Sequence, residues 1–228
     1  MAEAQGYTLP PVDVSLPGIL TAALGPDAVR EGGKVLVPVD ADAVAAALRI
    51  AQEHQLHLRL TSGPATGSDA PSGGAVLSLR NLGAVSVDLG SGVARAEAGA
   101  TLAVLDAALA AAGSAVPGLA SPPGSEHVGA LVARGQLPRR SLTGIEAVLP
   151  GGDRVMAGSR VLKDVVGYDV TSLLLGGGGR LAAIVAVHLR LIPAAAVSAA
   201  AEVAGPAGPR RVEDLASVFD PDGILVGG

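Results

Sequence analysis

Residues 161–193 read VLKDVVGYDVTSLLLGGGGRLAAIVAVHLRLIP, and the fold turns on this stretch. Ala182–Leu191 alternates strongly, which predicts a long strand closed by Pro193. Ahead of it stand a predicted short helix, Asp169–Leu175, and a run of four glycines, Gly176–Gly179. The run reads either as a flexible turn or as backbone that approaches a flat ligand closely. Lys163-Asp164 and Tyr168-Asp169 bracket Gly167 and form a polar corner. His188 alternates with apolar neighbours, which predicts a place on the outer face of the strand.

Working toward the N-terminus, Gly144–Leu149 and Arg154–Ala157 flank Pro150-Gly151-Gly152-Asp153, a hairpin pattern. Val128–Arg134 predicts one or two turns of small-residue helix, after a loop over Pro117–Ser125. Thr101 caps a helix running to Ala112, with Leu102, Leu105 and Leu109 on one face and Gly113 as its stop. Short strands are expected at Ala75–Leu79, Ala84–Leu89 and Val93–Ala98, the last two joined by Gly90-Ser91-Gly92. Lys34–Thr61 is a strand–helix–strand unit. Val35–Pro38 is its first strand, Asp40 or Asp42 caps a helix over Ala41–His54, and Leu56–Thr61 is its second strand. Residues 1–33 form an N-terminal extension with a helical candidate at Gly18–Leu24. Toward the C-terminus, 194–209 reads as an Ala/Gly/Pro linker and 210–228 as a tail with a helical turn near Val212–Val218. This is an α+β pattern and not the regular alternation of a doubly wound sheet.

The chain has 228 residues, which fits one domain or two small lobes. Hydrophobic residues make up 49% and charged residues 16%, enough to bury a core and at odds with global disorder. Its only aromatics are Tyr7, Tyr168 and Phe219, too few for a base-stacking surface. With a net charge of −5 there is no electrostatic footprint for nucleic acid. The absence of cysteine excludes disulfides, zinc–thiolate sites and thiol catalysis, and fits a cytoplasmic compartment. No apolar run reaches the length of a membrane span, and MAEAQGYTLP lacks the features of a secretory signal, so a soluble protein is expected.

Two glycine-containing loops, Ser62–Ser68 and Ser125–Ala130, are candidate phosphate cradles. Backbone N–H groups can converge on an anion where Cβ atoms are missing, and the second loop leads into a helix N-terminus. Each also reads as a plain turn. No metal site is expected: His54 and His57 flank a helix end, and only His127 lies in a candidate loop. No Ser-His-Asp arrangement or carboxylate pair is legible, so catalytic residues stay unassigned.

In combination these segments resemble FAD-linked oxidases of the vanillyl-alcohol oxidase / p-cresol methylhydroxylase (PCMH) type, with closest likeness to the glycolate oxidase FAD-binding subunit. Lys163-Asp164, Gly167-Tyr168-Asp169 and Gly176–Ile184 follow that family's Lys-Asn, Gly-Tyr-Asp and Gly-Ser-x-Gly-x-Leu-Gly-Val-Ile in order and spacing. Arg59–Gly67 matches the first pyrophosphate loop, and His127–Ala133 matches Thr-Ile-Gly-Gly-x-x-Ala. Leu137-Pro138-Arg139-Arg140 resembles the Gly-Pro-Arg-Arg that follows. Val218–Leu225 resembles the family's C-terminal Phe-Asp-Pro-x-Gly-Ile, while the cap domain expected after Pro193 is replaced by the short linker.

The resemblance implies a two-lobed PCMH-type FAD-binding domain over 34–193 without the cap domain, with lobes near 34–98 and 99–193, and the tail 210–225 is expected to pack back on the first lobe through Phe219. It implies non-covalent FAD, since the first loop carries Thr66 and Gly67 and no histidine. The implied cofactor contacts are Ser62, Gly63, Pro64, Ala65, Thr66 and Gly67 in the first loop. Pro117, Gly118, His127, Val128, Gly129, Ala130 and Ala133 follow in the second region, and Gly178 and Ile184 near the adenine. Ala130 departs from the family glycine and brings a methyl group toward the diphosphate. Lys163, Arg139 and Arg140 are candidate charge partners. The implied function is an FAD-binding subunit of an oxidoreductase for a 2-hydroxy acid such as glycolate, working with other subunits. The alternative is a non-catalytic flavin-binding or scaffolding subunit.

Overall fold

The computed structural model describes residues 15–119, 124–158, 170–196 and 213–226. The polar corner at Lys163-Asp164 and Gly167-Tyr168-Asp169 lies outside them, as do residues 1–14, 120–123 and most of the expected linker.

Ser15 starts α1 (Leu16–Leu24) by accepting the Gly18 N–H, with Pro17 in the first turn, where a missing N–H costs nothing. β1 (Val29–Arg30) and β2 (Val35–Leu36) follow. Of the two aspartates before the next helix, Asp40 is the cap: its carboxylate accepts the Ala43 N–H at 2.8 Å at the head of α2 (Ala41–Glu53). Next come β3 (Leu58–Thr61), β4 (Ala75–Ser78) and the hairpin β5 (Val85–Asp88) and β6 (Val93–Glu97). Thr101 caps α3 (Leu102–Ala111). The chain continues through β7 (Ser114–Ala115), α4 (Val128–Ala133), β8 (Leu142–Val148) and β9 (Arg154–Gly158). It ends with α5 (Val170–Leu174), β10 (Ala183–Arg190), β11 (Ile192–Pro193), α6 (Glu213–Phe219) and β12 (Leu225–Val226).

These strands form two five-stranded sheets and one small pair. The first sheet has the order β1-β2-β4-β3-β12, parallel from β2 to β12, with β1 antiparallel at its edge. The second has the order β5-β6-β10-β8-β9 and is antiparallel throughout. An antiparallel second sheet is incompatible with a doubly wound fold, and the architecture is α+β. β5 and β6 precede residue 98 yet pair in the second sheet, where Ala94 and Ala96 join its core.

Each sheet has its own core. Val44, Ala47, Leu48 and Ala51 of α2 pack with Leu36, Leu58 and Leu77 of the first sheet, and Val148, Ala183 and Val185 reach into this cluster from the second. Leu102, Leu105 and Leu109 of α3 pack with Leu131 and Val132 of α4 over Ile145, Val187 and Leu189. The tail closes the first sheet: Leu58 N–H donates to the Ile224 carbonyl at 2.6 Å, and Ile224 and Leu225 enter the first core. Phe219, expected to make that contact, lies against the second core, because the turn from Asp220 to Gly223 separates it from β12.

Candidate functional site

A cleft of about 270 Å³ opens where the two sheets meet. One wall is the carboxyl end of β3 and β4, through Leu60, Thr61, Ser62 and Leu79. The facing wall is α4, through Gly129, Ala130, Ala133 and Arg134. Gly178 and Gly179, with Ala182 and Ile184 at the start of β10, make the third. The carboxyl ends of parallel strands are where open sheets place ligands, because the chain leaves them as loops with free backbone groups.

The glycines here have specific causes. A Cβ on Gly129 would overlap Ser62 Oγ and sit 2.7 Å from Ala98 Cβ, so α4 lies against both the first loop and the end of β6 only without one. Gly178 and Gly179 have φ of 62° and 74°, the left-handed region that favours glycine. Gly176 N–H donates to the Val132 carbonyl and Gly178 N–H to the Ala133 carbonyl, both at 2.9 Å. The second bond satisfies the Ala133 carbonyl at the end of α4, while the Val132 carbonyl also accepts the Gly135 N–H. The four-glycine run is thus pinned to α4 by its backbone.

The backbone donors are arranged differently from the expected phosphate cradle. Val128 and Gly129 N–H donate to the Ala100 and Ala98 carbonyls at 2.9 Å, so the first turn of α4 keeps its donors within the fold. In the first loop, Thr66 N–H donates to Asp69 and Gly67 N–H to Glu31, both at 2.8 Å. The Thr66 bonds hold the Asp69 carboxyl below its usual range. Both donors therefore serve carboxylates of the chain itself. Ser62 and Gly179 remain: among the described residues, neither Ser62 nor the Gly179 N–H donates a hydrogen bond.

A family model described as an FAD binding domain matches residues 33–158, more than half of the chain. The chain belongs to the FAD binding domain family. It is 31% identical over 173 residues to a D-lactate dehydrogenase of Archaeoglobus fulgidus, covering 70% of this chain and 38% of that protein. It is 38% identical over 55 residues to the glycolate oxidase subunit GlcD of Bacillus subtilis, 24% of this chain and 12% of the relative. The aligned part is thus well under half of each relative's length. Among solved structures, 4-ethylphenol oxidase from Gulosibacter chungangensis is similar with a TM-score of 0.63 and 17% identity, over 78% of this chain and 42% of that one. p-Cresol methylhydroxylase is similar with a TM-score of 0.61 and 18% identity, over 78% and 43%. These likenesses show the PCMH-type fold.

In this FAD binding domain the cleft gathers Ser62, Gly129, Ala130, Ala133, Gly178 and Ile184 from the expected contacts. Gly63 lies beside the cleft lining and packs on His127, whose Cε1 would be 2.9 Å from a Cβ there. Burial pushes the His127 pKa down. Pro64 is exposed, and Ala65, Thr66 and Gly67 lie outside the lining. Val128 is buried in the second core. Pro117 accepts a hydrogen bond from the Ser141 hydroxyl, and Gly118 lies against Pro138, so both serve packing. Arg139 donates to Ser172 and to the Leu142 carbonyl, and Lys163 lies outside the described residues.

Sequence reasoning missed Arg134, and it reached Gly179 only as part of the four-glycine run. Arg134 follows Ala130 by four residues, and that helical spacing was the signal that could have found it. His188 was misjudged. It is 3% exposed, and its Nε2 is 2.7 Å from Glu146 Oε1. Arg95 donates to both oxygens of Glu146 at 2.9 Å and to Glu97 at 3.2 Å. The Arg95 hydrogen bonds, followed by that of His188, pull the Glu146 carboxyl down to about 2. This cluster crosses β6, β10 and β8 on the face opposite Val187 and Leu189, and none of its residues lines the cleft.

Proposed function

We propose that the chain is an FAD-binding subunit of an oxidoreductase that acts on a 2-hydroxy acid such as glycolate, and that it holds FAD non-covalently. The cleft carries this reading: two loops and the helix α4 of a FAD binding domain converge there, with glycine backbone, the Ser62 hydroxyl and one arginine in the lining. Gly178 leaves room for close approach: a Cβ there would meet nothing within 4 Å. Ser62 and the Gly179 N–H would donate to the diphosphate, and the apolar side chains of Leu60, Leu79 and Ile184 would exclude water around it. Bound FAD would supply the hydride acceptor, which no side chain can provide. Non-covalent attachment is supported by a lining that holds no histidine, cysteine or tyrosine among the described residues. A cysteine-free chain fits a cytoplasmic setting.

A second reading, a non-catalytic flavin-binding subunit, is favoured by one observation. Among the described residues, the lining offers no carboxylate or imidazole to take a substrate proton. In either reading a partner subunit would supply the substrate-side groups. The absorbance spectrum of the purified protein, with FAD titration of the flavin-free form, tests the cofactor. Flavin bands in a one-to-one ratio support it, and no saturable binding would sink it. Turnover of glycolate or D-lactate with an artificial acceptor, with and without partner subunits, separates the two readings.

A further inference from the structure

Among the described residues, Arg134 is the only ionisable side chain that lines the cleft. Its guanidinium is held by the half-buried Glu126 and the exposed Gln136: Nη2 donates to Glu126 Oε1 at 2.6 Å and Nε to Gln136 Oε1 at 2.8 Å. The side chains of Arg134 and Glu126 are 46% and 30% exposed, so water screens the pair and little is lost when it opens. The backbone donors of the first turn of α4 and those of Thr66 and Gly67 are already bonded within the fold. A dianionic ligand in this cleft therefore meets few backbone donors and one cation, on a chain of net charge −5.

We propose that Arg134 is the cation that receives the diphosphate of the dinucleotide, and that Glu126 competes with the diphosphate for it. This rests on the FAD reading above. Glu126 sets the affinity: its carboxylate both occupies the guanidinium and repels the incoming anion. Arginine suits the role because its planar fork can turn to phosphate oxygens through one nitrogen while another keeps its contact with Gln136.

Calorimetric titration of the full-length, flavin-free chain with FAD, ADP and adenosine tests this, with Arg134→Gln, Arg134→Lys and Glu126→Gln as variants. Thermal midpoints show whether each variant folds. Arg134→Gln weakens FAD and ADP binding about tenfold, the size of one charge-assisted contact, and flattens the salt dependence of ADP binding. Arg134→Lys keeps the charge and restores most of the affinity. Glu126→Gln tightens FAD and ADP about threefold. Adenosine, which lacks phosphate, responds to none of them. If the parent chain binds FAD and Arg134→Gln binds it equally well, the role of Arg134 is overturned and the FAD reading stands. If the parent chain binds neither FAD nor ADP, both are overturned.

Discussion

At the scale of single residues, the cleft depends on atoms that are missing. A Cβ on Gly129 would meet Ser62 Oγ, the Ala98 side chain and the Ala98 carbonyl, and two of these belong to the residue that follows β6. Gly129→Ala is expected to destabilise the protein by about 1–3 kcal/mol through overpacking, read as a lower thermal midpoint. An unchanged midpoint would mean that α4 yields easily. A larger residue at 129 tests packing before it tests ligand binding, so Arg134 is the cleaner probe of the cleft. The glycines of the site were legible in the sequence because backbone geometry restricts which residue fits. Arg134 was not, since a lone arginine at a helix end reads as a solvated face. His188 was misread for a related reason: alternation tells which face of a strand a side chain takes, and not whether that face is covered.

Among the elements, α2, α3 and β10 were legible because each repeats its pattern over several turns or residue pairs. β1, β7, β11 and β12 are two residues long and carry no period. β12 is fixed by the turn before it. The Asp220 carboxylate, 5% exposed, accepts the N–H groups of Ile224 and Leu225 at 2.9 and 2.7 Å. Asp220→Ala leaves both donors without that partner and should cost roughly 2 kcal/mol. Amide exchange locates the effect: Leu58 N–H, bonded to the Ile224 carbonyl, loses protection first. If Leu58 stays protected while the global stability falls, the carboxylate does not hold β12 in place.

For the whole molecule, the Arg95–Glu146–His188 cluster ties three strands of the second sheet together. Folding holds the Glu146 carboxyl at about 2, below its ordinary value of 4.5. The unfolded chain therefore binds its proton first as pH falls. The stabilisation is complete above the ordinary value and is lost as pH drops toward 2. Glu146→Gln should cost about 1–2 kcal/mol at pH 7, since water reaches the Arg95 side of the cluster and screens it, with the gap to the parent chain narrowing below pH 4.5. Urea midpoints measured from pH 7 to pH 3 check this, and a constant gap would show that the carboxylate charge is not what matters. The two-sheet plan was legible as α+β, but the side of the molecule to which β5 and β6 belong was not, because pairing partners far apart in sequence leave no local mark. The backbone bonds from Gly176 and Gly178 to the end of α4 have a kinetic side as well. Two of the three walls are tied together by these bonds, while the β3–β4 wall meets α4 through the packing of Gly129 on Ser62. The expected consequence is that exchange of a bulky molecule depends on this packed seam, so that weakening β12 beside β3 changes its off-rate without altering any residue that lines the cleft.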